Sequence, residues 1–227
     1  MSETLILVLL LVPSLIVAIV FHEVAHGWVA LMLGDPTAKE RKRLSLNPIR
    51  HVDPVGTLVV PGALALMGGP IFGWAKPVPV RQRRLNNPRF GMMAVAAAGP
   101  ATNLLLALVG AVALGGYLAG GPYAEGSAMV VLRDGLTYFI LINIFLALFN
   151  LLPIPPFDGS HIVEGLLPPS VARHYGKLRP LGMVLLLGLI ALTWIAPELG
   201  VVERFVLPPV LWLQEVYFDL ARSIAGQ

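Results

Sequence analysis

The 227-residue sequence contains no cysteine and few charged residues. Without cysteine the chain cannot form disulfides, use a thiol nucleophile, or bind zinc or an iron–sulfur cluster through thiolates. Charged residues make up 13% of the chain, about half of the ~25% that is typical of a soluble domain. This shortage argues against a soluble globular enzyme, a disordered tail, a coiled coil and a nucleic-acid-binding protein.

Apolar residues make up more than half of the chain. They form 56% of the chain, and the mean hydropathy is +0.78. A membrane-spanning helix needs about 20 apolar residues, and several stretches lack charge over most or all of that length. We therefore predict an all-α, polytopic integral membrane protein with about five to six transmembrane helices. The predicted membrane segments are residues 5–34, 54–75, 90–124, 135–157, 180–197 and 205–214, the last extending to 220 in one reading.

The basic residues indicate the topology, because short cytoplasmic loops retain Lys and Arg. If Pro54–Ala75 enters and leaves by one face, every basic residue except Arg133 and Arg204 is cytoplasmic. The prolines and glycines of this segment also disfavour a continuous helix. We predict a re-entrant element between the first two core spans, five spans, an outer N-terminus and a cytoplasmic C-terminus. An ordinary sixth span is the alternative.

Two acids interrupt apolar stretches, and an acid within a span suggests function. Glu23 lies in the pattern H-E-x-x-H, where His22 and His26 share one helical face and can grip one metal ion. Asp158 precedes a glycine and is the best third ligand; His161 is a weaker one. A polar contact between helices, or a proton pathway, is the alternative for the histidines, and a turn or helix-capping aspartate is the alternative for Asp158.

These two motifs together resemble the site-2 protease family of intramembrane zinc metalloproteases. The resemblance extends from about Val17 to Gly165 and pairs H-E-x-x-H with N-x-x-P-x-x-P-x-D-G at 150–159. A middle motif, G-P-x-x-N at 99–103, agrees with it. Residues 72–80 resemble the compact bacterial members that lack PDZ and CBS domains.

The resemblance implies a set of site residues and a reaction. His22, His26 and Asp158 would be ligands of one Zn²⁺ ion, Glu23 the general base, and Asn103 a catalytic residue that orients or stabilises the scissile carbonyl. The expected activity is hydrolysis of peptide bonds in or near transmembrane segments. A catalytically inactive member that binds membrane helices, or a membrane transporter, are the alternatives.

The remaining expectations concern organisation and surroundings. Residues 1–227 are expected to form a single membrane-embedded protease domain, with a core at 4–165 and accessory spans at 180–221. The expected partners are a transmembrane protein substrate and the bilayer, with no nucleic acid and an open oligomeric state. The expected location is a bacterial inner membrane, with the active site toward the cytoplasm. Gly73–Val80 is a candidate re-entrant strand or a plain loop. His51 could line the site, bind a residue that supports a metal ligand, or lie on the surface.

Overall fold

The computed structural model describes residues 3–66, 73–121 and 128–226. Within these ranges the chain is helical with no β-strand, which confirms the all-α prediction. Short 3₁₀ and π turns link the helices. The nine α-helices of the described ranges are α1 Glu3–Met32, α2 Thr37–Glu40, α3 Val60–Leu66, α4 Pro88–Ala119, α5 Ala128–Asn150, α6 Asp158–Leu166, α7 Pro169–Tyr175, α8 Gly182–Ile195 and α9 Leu207–Ile224.

Four helical stretches are long and apolar enough to cross a membrane: Leu5–Met32, Pro88–Ala119, Ala128–Asn150 and Pro169–Ile195. Their outer faces carry exposed apolar side chains, such as Leu105 and Val109 on α4. Apolar side chains that face outward along whole helices are suited to lipid. The stretches confirm a polytopic membrane protein.

Two of the predicted spans differ from the helices. The span predicted at 135–157 corresponds to α5, which begins at Ala128 and ends at Asn150. The ion pair between Arg133 and Asp134 lies within its exposed first turns, and the prolines after 150 end it. The span predicted at 205–214 begins in the π turn Val202–Val206 and continues as α9. Helix α9 carries Glu215, Asp219 and Arg222, and it is not among the four candidate spans.

The predicted re-entrant segment folds back on itself. A π turn at Pro54–Val59 leads into α3, and residues 67–72 lie outside the described residues. On the return side, the Trp74 amide donates to the Gly56 carbonyl at 3.0 Å. The Thr57 hydroxyl donates to the Trp74 carbonyl, also at 3.0 Å. The two ends of the segment therefore lie together, as expected for a hairpin that leaves and returns on one side.

Helix α4 lies at the centre of the bundle and packs against α1, α5, α6 and α9. Small residues allow this close packing: a Cβ on Gly110 would lie 2.9 Å from Ile140 of α5. In membranes, where lipid is as apolar as leucine, small residues at helix contacts permit the close van der Waals packing that holds helices together. The buried core beside this contact comprises Ala107, Ala111, Leu114, Ile140, Ile144, Val206, Val210 and Ala221.

Candidate metal centre

The second half of α1 carries the H-E-x-x-H motif into the bundle. His22 and His26 are one helical turn apart, and their rings meet edge to face with centroids 4.6 Å apart. Both residues are buried, with 6% and 8% exposure. Because both side chains project from one continuous α-helix, the two imidazoles are held by a rigid support.

Asp158 reaches the same place from a break in the chain. The helix α5 ends at Asn150, and a proline-rich turn leads to α6, which begins at Asp158. Gly159 makes this turn possible, because a Cβ there would collide with the Leu151 carbonyl. The side chain of Asp158 retains 19% exposure, so the cluster is closed on the histidine side and open beside the aspartate.

The donor atoms of these three residues converge. Asp158 Oδ2 lies 3.1 Å from His22 Nε2 and 3.3 Å from His26 Nε2, and all three lie within 4.8 Å of one another. Two donors that each lie about 2.0–2.1 Å from a tetrahedral zinc are about 3.4 Å apart. The spacing of the aspartate oxygen from both nitrogens therefore fits a shared ion of that size.

The far sides of both imidazoles are occupied by acceptors. His22 Nδ1 lies 2.6 Å from Asn103 Oδ1, and His26 Nδ1 lies 2.7 Å from the Val95 carbonyl. Each Nδ1 therefore carries the hydrogen and donates it outward, which leaves the Nε2 lone pairs facing the Asp158 carboxylate. The two Nε2 lone pairs and the carboxylate are all acceptors, so a cation between them is needed to hold them together. An Nδ1–H bonded to oxygen is also the usual support of a metal-binding histidine.

Gly99 of α4 leaves the space in which the imidazoles meet. A Cβ at this position would lie 2.5 Å from His22 Nε2 and 2.6 Å from His26 Cε1. No side chain larger than hydrogen can stand there without moving the rings. The glycine of the G-P-x-x-N motif thus belongs to the site, and the residues present fit a metal ion.

Comparison with known proteins shows the family to which this chain belongs. The sequence model of peptidase family M50 matches residues 118–193. "Putative zinc metalloprotease YwhC" of Bacillus subtilis is 41% identical over 177 residues, which cover 78% of this chain and 78% of the relative. The chain belongs to peptidase family M50. This membership confirms the resemblance to the site-2 proteases and establishes the protein as a metalloprotease.

More distant relatives carry a similar name. "Putative zinc metalloprotease Rip2" of Mycolicibacterium smegmatis is 26% identical over 220 residues, covering 94% of this chain and 74% of the relative. Rip2 of Mycobacterium tuberculosis strain H37Rv is 26% identical over 197 residues, covering 84% and 68%. No solved structure shows a significant match to this chain.

In this M50 peptidase both polar atoms of the Asn103 amide already have hydrogen-bond partners within the protein. Its oxygen faces His22, while Nδ2 donates to the Ala18 carbonyl at 3.1 Å and to Asn143 Oδ1 at 2.9 Å. Asn103 and Asn143 are completely buried. The contacts make Asn103 a support of the His22 ring, and its contact with a scissile carbonyl stays a prediction.

Glu23 lies beside the cluster and is not one of the three converging donors. Its Oε2 accepts a hydrogen bond from the Val78 amide at 2.7 Å. Val78 belongs to residues Gly73–Arg81, which we call the extended segment. The candidate strand at Gly73–Val80 pairs with no other strand among the described residues. Instead, its amides at alternate positions bond toward the protein, which is the pattern of an extended chain.

The other histidines of the M50 chain lie outside the cluster. His51 is buried, donates from Nε2 to the Ser45 carbonyl at 2.7 Å, and faces Arg43 with Nδ1. His161 contacts Arg179 at 3.1 Å. The structure therefore places His51 in contact with Arg43 and the Ser45 carbonyl, and it gives no support to His161 as a ligand.

Sequence reasoning missed three contributors to this site. Asn143 is a polar residue in the middle of an apolar helix, a signal that could have been used. Asp35 and Arg43 follow α1 in a polar loop, where charge is ordinary, yet both are buried. Only the fold shows that they contact the extended segment beside Glu23.

Proposed function

We propose that this M50 peptidase is an intramembrane zinc metallopeptidase that hydrolyses peptide bonds in or near the transmembrane segments of membrane proteins. The observation that carries the proposal is the convergence of His22 Nε2, His26 Nε2 and Asp158 Oδ2 inside a bundle of apolar helices. The relatives named as zinc metalloproteases support zinc as the metal. Two nitrogens and one oxygen, with a side open for a further ligand, form the donor set of a catalytic zinc site.

The proposed ligands are His22, His26 and Asp158. Bound zinc supplies Lewis acidity, which acidifies water and polarises a peptide carbonyl. The role of the two histidines is to present unprotonated Nε2 atoms, and their outward Nδ1–H bonds fix that tautomer. The partial exposure of Asp158 provides the side from which water and substrate can approach.

The proposed general base is Glu23. Its carboxylate accepts the Val78 amide at Oε2, and no described contact uses Oε1, so this oxygen is available to take a proton from the attacking water. The same oxygen can then deliver the proton to the leaving amine. A base that is held in reach of water on a rigid helix contributes about 10²- to 10⁴-fold to the rate.

We further propose that the site faces the cytoplasm of a bacterial cell membrane. The basic loops on either side of the re-entrant hairpin support this orientation, since Lys and Arg stay cytoplasmic in short loops. The proposed substrate is a transmembrane helix that unwinds locally, because peptide bonds within an intact helix are hydrogen-bonded and shielded.

Purified protein reconstituted with a single-span membrane protein tests the proposal. Wild type should contain about one zinc per chain and cleave the substrate. Glu23→Gln should keep the zinc and lose cleavage, because an amide cannot accept the proton. Glu215→Gln changes an exposed acid of α9 that pairs with Arg222, and this control should retain both properties. Full cleavage by Glu23→Gln, or wild type without zinc, would overturn the proposal.

A further inference from the structure

The extended segment contacts Glu23 through its main chain. The amide of Val78 is the donor, and Glu23 Oε2 is the acceptor, at 2.7 Å. Pro77 and Pro79 flank Val78 and have no amide hydrogen. Val78 is therefore the only main-chain donor of this tripeptide, and that donor is directed at the residue that we propose as the general base.

An anchor fixes the segment upstream of Val78. Arg43 is buried and donates from Nη2 to the Lys76 carbonyl at 2.6 Å, and its Nη2 lies 3.5 Å from His51 Nδ1. The Lys76 amide donates to the His51 carbonyl at 2.9 Å. Burial lowers the pKa of Arg43, and the negative charge of Glu23 opposes that lowering. The cation thus fixes the segment at Lys76 within the electrostatic reach of Glu23.

A second anchor fixes the segment downstream. Asp35 is fully buried, and its Oδ2 accepts the Arg81 amide at 2.5 Å. Its Oδ1 accepts the amide and the hydroxyl of Thr37 at 3.0 Å and 2.5 Å. Burial raises the pKa of Asp35, but these hydrogen bonds outweigh burial and lower it overall. A carboxylate with three donors provides a firm attachment just after α1.

We propose that the extended segment is a positioning element for Glu23. Arg43 and Asp35 hold its two ends, so that the Val78 amide fixes Glu23 Oε2 and leaves Oε1 to take the proton. This inference rests on the proposed function, because it takes Glu23 as the general base. A charge-assisted hydrogen bond restricts the carboxylate to one orientation before the reaction, and a pre-oriented base reaches the transition state with less loss of freedom.

The substitution Val78→Pro removes the amide hydrogen and keeps a compact apolar side chain. Val78 lies in a stretch with no helix or strand assignment, and its amide bonds a side chain rather than a sheet or helix partner, so the substitution breaks no secondary structure. Val78→Ala is the matched variant, since it trims the side chain and keeps the amide. Both variants, together with Glu23→Gln, are compared for kcat, KM, zinc content and melting temperature, with one reconstituted single-span substrate.

We expect kcat of Val78→Pro to be about ten- to a hundredfold below that of Val78→Ala, the loss expected for one hydrogen bond to a charged group. KM and zinc content should be similar in the two variants, because neither the ligands nor the substrate loses a contact. A merely structural amide would instead lower zinc content and melting temperature together with kcat.

The outcomes separate the inference from the function on which it rests. Equal kcat in Val78→Pro and Val78→Ala, with Glu23→Gln inactive, would overturn the positioning role and support the proposed function. Loss of zinc from Val78→Pro alone would overturn the positioning role as well, since the amide would then act on the metal site. Cleavage by Glu23→Gln would overturn both.

Discussion

Replacing Gly99 with alanine should weaken metal binding while α4 stays folded. The added Cβ would lie 2.5 Å from His22 Nε2 and 2.6 Å from His26 Cε1, about 1 Å inside the usual separation of 3.5 Å or more. The rings therefore have to move by about 1 Å, whereas donor distances at a metal are held to about 0.2 Å. The substitution thus acts on the site rather than on the helix.

The expected magnitudes follow from two opposing terms. Alanine in a helix interior is favoured over glycine by about 1 kcal/mol, while overpacking costs about 1–3 kcal/mol. The free energy of unfolding should therefore fall by no more than about 2 kcal/mol. Zinc affinity should fall by about 10- to 100-fold or more, the range seen when metal ligands lose their supporting contacts.

Gly116→Ala provides the control on the same helix, because a Cβ there meets nothing within 4 Å. Both variants add one Cβ to α4, but Gly99 precedes Pro100, where a Cβ is disfavoured in a helix, so zinc affinity rather than stability isolates the contact with the imidazoles. Competition with a chromophoric zinc chelator in detergent measures the two affinities. Equal zinc affinity in Gly99→Ala and Gly116→Ala would mean that the imidazoles tolerate a Cβ at position 99, contrary to the distances in the structure.

Three further predictions concern the surroundings of the site. Asn103→Leu removes the acceptor of His22 Nδ1 and should weaken zinc binding about 10- to 100-fold in the chelator assay; unchanged affinity would contradict the supporting role. Asp35→Asn should cost about 2 kcal/mol of stability at pH 7. Because folding lowers the pKa of Asp35 from 3.8, the wild-type advantage should be complete above that value and shrink below it, as melts at pH 7 and pH 3 can show; a constant gap would argue otherwise. Removing zinc with a chelator should lower the melting temperature, and zinc should restore it, because a ligand of the folded state stabilises it; a melting temperature indifferent to zinc would count against the site.

The convergence of His22, His26 and Asp158 could be anticipated from the sequence, because these residues interrupt stretches that are otherwise apolar. His22, Glu23 and His26 interrupt an apolar helix, where polar groups are costly without a partner. Asp158 does the same at the end of another apolar stretch, and the prolines before it predict the break that turns it inward. Helical spacing and topology then suffice to bring the two motifs together.

The supporting contacts could not be predicted in the same way. Asp35 and Arg43 lie in a charged loop, and their burial depends on how the extended segment returns beside α1. Helix α5 begins at Ala128, before the predicted residue 135, for a related reason. Arg133 and Asp134 form an ion pair on its exposed side, so the helix accommodates both charges. A prediction based on uncharged stretches places the start of the helix after them.

Zinc K-edge absorption of the purified protein can show whether His22, His26 and Asp158 bind the metal. The proposed site should hold about one zinc per chain, with two imidazole nitrogens at about 2.0–2.1 Å and oxygen donors at about 2.0–2.2 Å. The imidazole scattering should decrease in His22→Ala and in His26→Ala, and the oxygen shell should change in Asp158→Ala. Zinc without imidazole scattering, or a spectrum that none of these substitutions alters, would contradict the account.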